Sequence, residues 1–210
     1  KWFEPIPAGE KYLRNLPKEP EQRVARKEIV YADVPLNAIY MAFKMPSRRD
    51  PDYQTFDLLS DILSQGQSSR LYNSLLKEQQ LFSDIHAYIT SSMDEGLFVI
   101  EGKLVEGVSV PEAEAAIWRE LALIKEAPVT EEEITKVKNK SESIMVFAEL
   151  SLLDKAMNLA YYELLGDADL LNAEIDKYLA VTPEKIQEAA KFTFHPEKCS
   201  TLYYLIKKDA

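Results

Sequence analysis

Apolar residues at Phe56, Leu59, Ile62 and Leu63 recur at helical spacing and stop before Gly66, the residue type that most easily leaves a helix through positive φ. Ser68 is placed to cap a second short helix with Leu71, Tyr72, Leu75 and Leu76 on one face. There the period shortens to that of a strand: Ile85, Ala87 and Ile89 alternate with His86, Tyr88 and Thr90. After a turn at Asp94, Glu95 and Gly96, Phe98, Ile100 and Leu104 alternate with Val99, Glu101 and Lys103, so the two segments predict an antiparallel hairpin.

Upstream, KEIVYAD and NAIYMAFKM predict two strands separated by a turn at Pro35; the second is apolar on both faces, which predicts a central, covered position. Asp50 followed by Pro51 predicts a helix start, with the aspartate as cap. Downstream, Ser109 with Glu112 and Thr130 with Glu133 have capping-box spacing. The first opens a helix with Ala113, Ile117, Leu121 and Ile124 in one stripe. The second opens the longest element, carrying Ile134, Val137, Ser141, Ile144, Met145, Ala148 and Leu152 and continuing to Leu165 before Gly166. A short helix over 168–179, another from Thr182-Pro183 to Phe194, and a closing strand in CSTLYYLIKK complete the order. The pattern predicts an α+β fold, an antiparallel sheet covered on one face by helices in a two-layer sandwich.

The first 26 residues hold four of the eleven prolines within KWFEPIPAGEKYLRNLPKEP and read as a linker from a preceding domain, leaving 27–210 as one domain. The chain opens at Lys1 without an initiator methionine and reads as part of something longer. A length of 210 residues suffices for a single substantial core. The balance of 25 Lys and Arg against 35 Asp and Glu gives a net charge of −10, which disfavours nucleic acid; the densest basic groups are only Arg48, Arg49 and Lys207, Lys208. No apolar run has the ~20 residues of a membrane span. One cysteine forms no internal disulfide and leaves the redox compartment open.

The run GQSSRLYNSLLKEQQL from Gly66 to Leu81, followed by a strand, a D-x-G turn and LFVIEGKL, resembles the second, zinc-free half of the pitrilysin/insulinase family of zinc metallopeptidases, which includes the mitochondrial processing peptidases. The resemblance runs roughly from Lys27 to the end. It implies that zinc sits in a motif-bearing partner half, on an H-x-x-E-H helix, and that this chain closes a proteolytic chamber over it and helps position the peptide substrate. The same resemblance places the family's substrate-contacting arginine and tyrosine at Leu76 and Ser83, where neither residue type matches. It also allows a non-proteolytic role as a structural core-type subunit, while the predicted antiparallel sheet, with a free edge, allows a module that takes an extended peptide as an extra strand.

The residues themselves supply no catalytic or metal-ligating set. The only histidines, His86 and His195, lack a glutamate and second histidine at metal-binding spacing. His86 reads as a hydrogen-bonded strand residue, His195 as an imidazole near helix-end carbonyls, and Cys199 as an inert core thiol. Glu131, Glu132 and Glu133 read as first-turn charges complementing a helix start. Arg70, a positive charge at a helix start, calls for a carboxylate partner or a place on the chamber wall, and joins Leu76 and Ser83 as the substrate-chamber candidates.

Overall fold

The computed structural model describes residues 4–7, 9–10, 17–90 and 93–207. Five strands, β1 (Arg26–Ala32), β2 (Ala38–Ser47), β3 (Phe82–Ile89), β4 (Glu95–Leu104) and β5 (Ser200–Ile206), form one sheet in the order β1-β5-β2-β4-β3. All neighbouring pairs are antiparallel except β1 and β5, which run parallel from Arg26 opposite Ser200 to Ala32 opposite Ile206. A tight turn cannot join parallel strands, whereas these two have nearly the whole chain between them as a crossover.

Helices α1 (Tyr53–Ser64), α2 (Val110–Glu126), α3 (Glu131–Ala148), α4 (Leu152–Leu165), α5 (Glu174–Leu179) and α6 (Pro183–Thr193) form the second layer, with α1, α2 and α6 against the strands. Alternate residues of β2, namely Ile39, Met41, Phe43 and Met45, point into one core with Phe98 and Ile100 of β4, Leu59 of α1, Ile117 of α2 and Ile186 of α6. Phe194, just past α6, is fully buried and meets Phe43 and Phe98 edge to face, each at 5.2 Å between ring centroids. This aromatic trio joins the last helix to the middle strands.

Several local expectations need correction. Asp50 does not cap α1; its Oδ1 accepts from the backbone N–H of Asp52 at 3.0 Å in a preceding turn, and the helix begins at Tyr53. Ser68 does not cap the second helix either. Its hydroxyl accepts from Lys136 Nζ, and Tyr72–Glu78 is wound as a π-helix whose wider turn is closed by Gln79 N–H donating to Ser74 O. The long element predicted to reach Leu165 is broken after Ala148. Ser151 caps a new helix by accepting from Asp154 N–H, so α3 and α4 are separate. The 168–179 segment is likewise a 3₁₀ turn, Ala168–Leu171, followed by α5.

β2 is central, as its pattern predicts, but the helices cover it on one side only. Tyr40, Ala42 and Lys44 on its other side are half-exposed. Of the 1–26 segment, residues 1–3, 8 and 11–16 lie outside the described residues. Gln22 within it is buried, donating to Cys199 O at 2.8 Å and accepting from Ser200 Oγ at 3.0 Å, while Lys44 reaches Glu19 at 3.2 Å.

Candidate functional site: the open face of the sheet

Strand alternation dictates what the uncovered face presents. Partners directly opposite one another share a face, so the register sets Tyr40 and Ala42 of β2 beside Leu202 and Ser200 of β5 and beside Glu101 and Val99 of β4. On β3 the same face carries Asp84, His86 and Tyr88, opposite Lys103, Glu101 and Val99. The result is an apolar and aromatic centre flanked by a charged border. Leu97 near the start of β4 and Tyr88 on the edge strand β3 remain 42% and 41% exposed.

The border is internally paired. His86 Nε2 lies 2.7 Å from Asp84 Oδ1, Lys103 Nζ 3.4 Å from Asp84 Oδ2, and Tyr88 donates to Glu101 Oε2 at 3.2 Å. Burial and the adjacent Glu101 carboxylate both push the Tyr88 phenol upward, so it stays a neutral donor. The face is shallow: the depression between Ala38, Tyr40, Glu101 and Lys103 encloses only about 10 Å³. A larger cleft of about 440 Å³ lies past the end of β2, between residues 18–22 and Phe192, with lysines and carboxylates of mixed sign and no nucleophile with a base. Chemistry points to the face rather than the cleft.

Of the three substrate-chamber candidates, Arg70 has the carboxylate partner that its position demanded. Its Nε and Nη2 donate to Glu133 Oε1 and Oε2 at 2.7 and 2.9 Å. Glu133 also accepts from the N–H of Thr130 in the capping box that starts α3, so one carboxylate joins the segment just before the π-helix to α3. Leu76 is partly buried against the core. Ser83 is the extra residue of a β-bulge between Phe82 and Asp84, donating to Lys103 O at 3.2 Å. Each is held by different neighbours, and these contacts do not bring the three together.

The Arg70 pair makes a pH prediction. The Arg70 guanidinium, aided by the cap hydrogen bonds, holds the Glu133 carboxyl at about 2, below its ordinary 4.5. A carboxyl depressed in the folded state stabilises above its unfolded pKa and loses that contribution as pH falls through the folded one. The melting-temperature advantage of the native chain over Arg70→Met is therefore constant above about pH 5 and shrinks toward pH 2. Half-buried Asp57 and Asp61, whose carboxyls desolvation raises, act in the opposite sense but are common to both proteins. An advantage independent of pH over that range contradicts the assignment.

The described residues do not fit a metal. His86 is engaged by Asp84 on the open face, whereas His195 lies beyond α6 with Nδ1 3.7 Å from Glu197. Among the described residues no group of three or more His, Cys, Asp or Glu side chains converges. Cys199 is buried against Thr201 Oγ1 at 3.4 Å, and burial pushes its thiol up to about 11. A thiol so raised is a poor nucleophile. No helix among the described residues is long and apolar enough to cross a membrane.

The feature with no sequence signal is a buried ion pair. Arg48 at the end of β2 donates through Nη2 to Glu174 Oε1 of α5 at 2.7 Å, and the side chains are only 8% and 2% exposed. Gln54 Nε2 donates to the same oxygen at 2.9 Å, Tyr162 accepts from Arg48 Nη2 at 3.1 Å, and the guanidinium lies over the Tyr53 ring. Burial and the Glu174 charge raise the Tyr162 phenol. Arg48 is 126 positions from its partner, so spacing gives no hint of it.

The family model of the peptidase M16 inactive domain matches residues 1–141. The zinc protease PqqE of Helicobacter pylori is 25% identical over 187 residues, which is 89% of this chain but 42% of that protein. Among solved structures, a protease from Helicobacter pylori superposes with a TM-score of 0.87 at 24% identity, covering 94% of this chain and 48% of the other. An inactive peptidase domain from Bordetella parapertussis superposes with a TM-score of 0.76 at 19% identity, over 86% of this chain and 96% of the other. The chain thus spans about half the length of the Helicobacter proteins and nearly all of the Bordetella domain.

Proposed function

Since this chain belongs to the peptidase M16 inactive-domain family, we propose that it is the metal-free half of a zinc endopeptidase, its open sheet face forming one wall of the proteolytic chamber. Opposite that wall stands a half bearing the H-x-x-E-H motif, in which zinc activates water for attack on the peptide carbonyl. This chain's residues hold the substrate and exclude bulk water around it. The observation that carries the reading is the sheet face of Tyr40, Tyr88 and Leu202, which lies opposite the core that the helices cover. Aromatic rings with polar tips suit an extended peptide, since the ring covers apolar side chains while the hydroxyl meets the backbone. The charge of −10 favours neutral or basic peptides.

The test is reconstitution. Alone, the chain is expected to take up no stoichiometric zinc and to cleave no peptide. Mixed with the motif-bearing half, it is expected to give turnover that a chelator abolishes. In that mixture Tyr40→Ala and Leu202→Ala raise KM and leave kcat nearly unchanged, because they remove binding shared by substrate and transition state. Zinc-dependent turnover by the chain alone contradicts the proposal. Reconstituted pairing without any gain in turnover assigns the chain a structural role instead.

A further inference from the structure

The second layer contains a helix built the wrong way round for a free surface. A helix on a water-facing surface turns its polar side outward. In α4 only Tyr162 and Leu165 are buried, and the helix packs against little besides the 3₁₀ turn that follows it. The side away from those anchors is apolar and open: Leu153, Met157, Ala160 and Leu164 fall in one line at spacings of four, three and four, with Leu152 and Ala156 beside them. Leu152 is 85% exposed and Leu153 69%. The ridge continues through Leu150 and Phe147 to Ile144 at the end of α3, so the stripe expected along that helix is buried only at Ile134 and Val137. Contiguous apolar surface on this scale is rare on a finished monomer and marks a protein contact.

We infer that this ridge of α4 and the end of α3 is the surface on which the motif-bearing half docks. The inference rests on the chamber reading and adds where the two halves meet. Two observations select that occupant. The chain spans 42% of the Helicobacter zinc protease and 48% of the solved Helicobacter protease, so proteins of this kind carry about as much chain again to cover such a ridge. A second copy of this chain is the competing occupant, and two bodies of charge −10 repel each other on approach. The docking is apolar, so a few side chains carry most of it. It also leaves the sheet face free to border the chamber, because the ridge lies in the helical layer.

The experiment is sedimentation of the chain with the separately produced motif-bearing half, comparing the native chain, the double variant Leu153→Glu with Met157→Glu, and Leu123→Glu on α2 as an exposed apolar control. The native chain and the control are expected to pair equally, and the double variant at least about tenfold more weakly. Thermal melts check folding; should the double variant fail to fold, amide exchange of α4 in the native chain must slow when the other half is added. Undiminished pairing by the folded double variant, or unchanged exchange in α4, overturns the docking surface while leaving the chamber reading intact. Self-association of the native chain that the double variant abolishes assigns the ridge to a second copy and likewise overturns the inference. A native chain that pairs with no motif-bearing half sinks the chamber reading itself.

Discussion

Glu174→Ala is expected to destabilise the fold by roughly 3–5 kcal/mol, because it leaves the Arg48 guanidinium buried without its carboxylate. The magnitude follows from the surroundings. Glu174 is 1% exposed, and its Oε1 accepts from both Arg48 and Gln54. In a domain of this size such a loss lowers the melting temperature by roughly 10 °C. Replacing both partners, as Arg48→Met with Glu174→Leu, is expected to cost less than the single change, since no charge is then stranded. Urea unfolding of the two variants and the native chain measures both. A single variant within about 1 kcal/mol of the native chain contradicts the buried-pair assignment.

Phe194→Ala should be as damaging by a different route, at about 3–5 kcal/mol. The ring is wholly buried between Phe43 and Phe98, so truncation both loses its transfer free energy and opens a cavity between α6 and the two middle strands. Phe194→Leu keeps most of the volume and forfeits mainly the edge-to-face contacts, so it is expected to lose much less. Equal losses for the two variants would show that the aromatic geometry, and not the filled space, holds the layers together.

Both residues illustrate what is legible in the chain and what is not. The hydrophobic period reads correctly through β3, β4, α2 and α6, because each buries one face and burial writes its period into the sequence. Phe194 could be placed at a helix end but not at the centre of an aromatic trio, since its ring partners come from β2 and β4. Arg48 reads as half of a minor basic pair with Arg49, yet the fold buries Arg48 on Glu174 while Arg49 donates to Leu164 O at 3.2 Å. The parallel pairing of β1 with β5 was equally hidden, because alternation reveals a strand but not its neighbour.

The ridge on α4 is the instructive case. Ile144 and Leu152 fall on the same helical spacing as Ile134 and Val137, yet only the latter two are covered by this chain. Periodicity reports that a face is to be buried, without saying whether the cover is intramolecular. For the candidate site the situation is reversed. The resemblance drew attention to Arg70, Leu76 and Ser83, whereas the open face follows from strand register, which no local motif encodes.

The wall proposal is tested most directly by placing a photoreactive residue at Tyr40, and separately at Glu142 on α3, then irradiating the assembled halves with a cleavable peptide. The peptide is expected to be captured at position 40 and not at position 142. Capture at 142 alone, with position 40 bare, would contradict the assignment of the sheet face to the chamber.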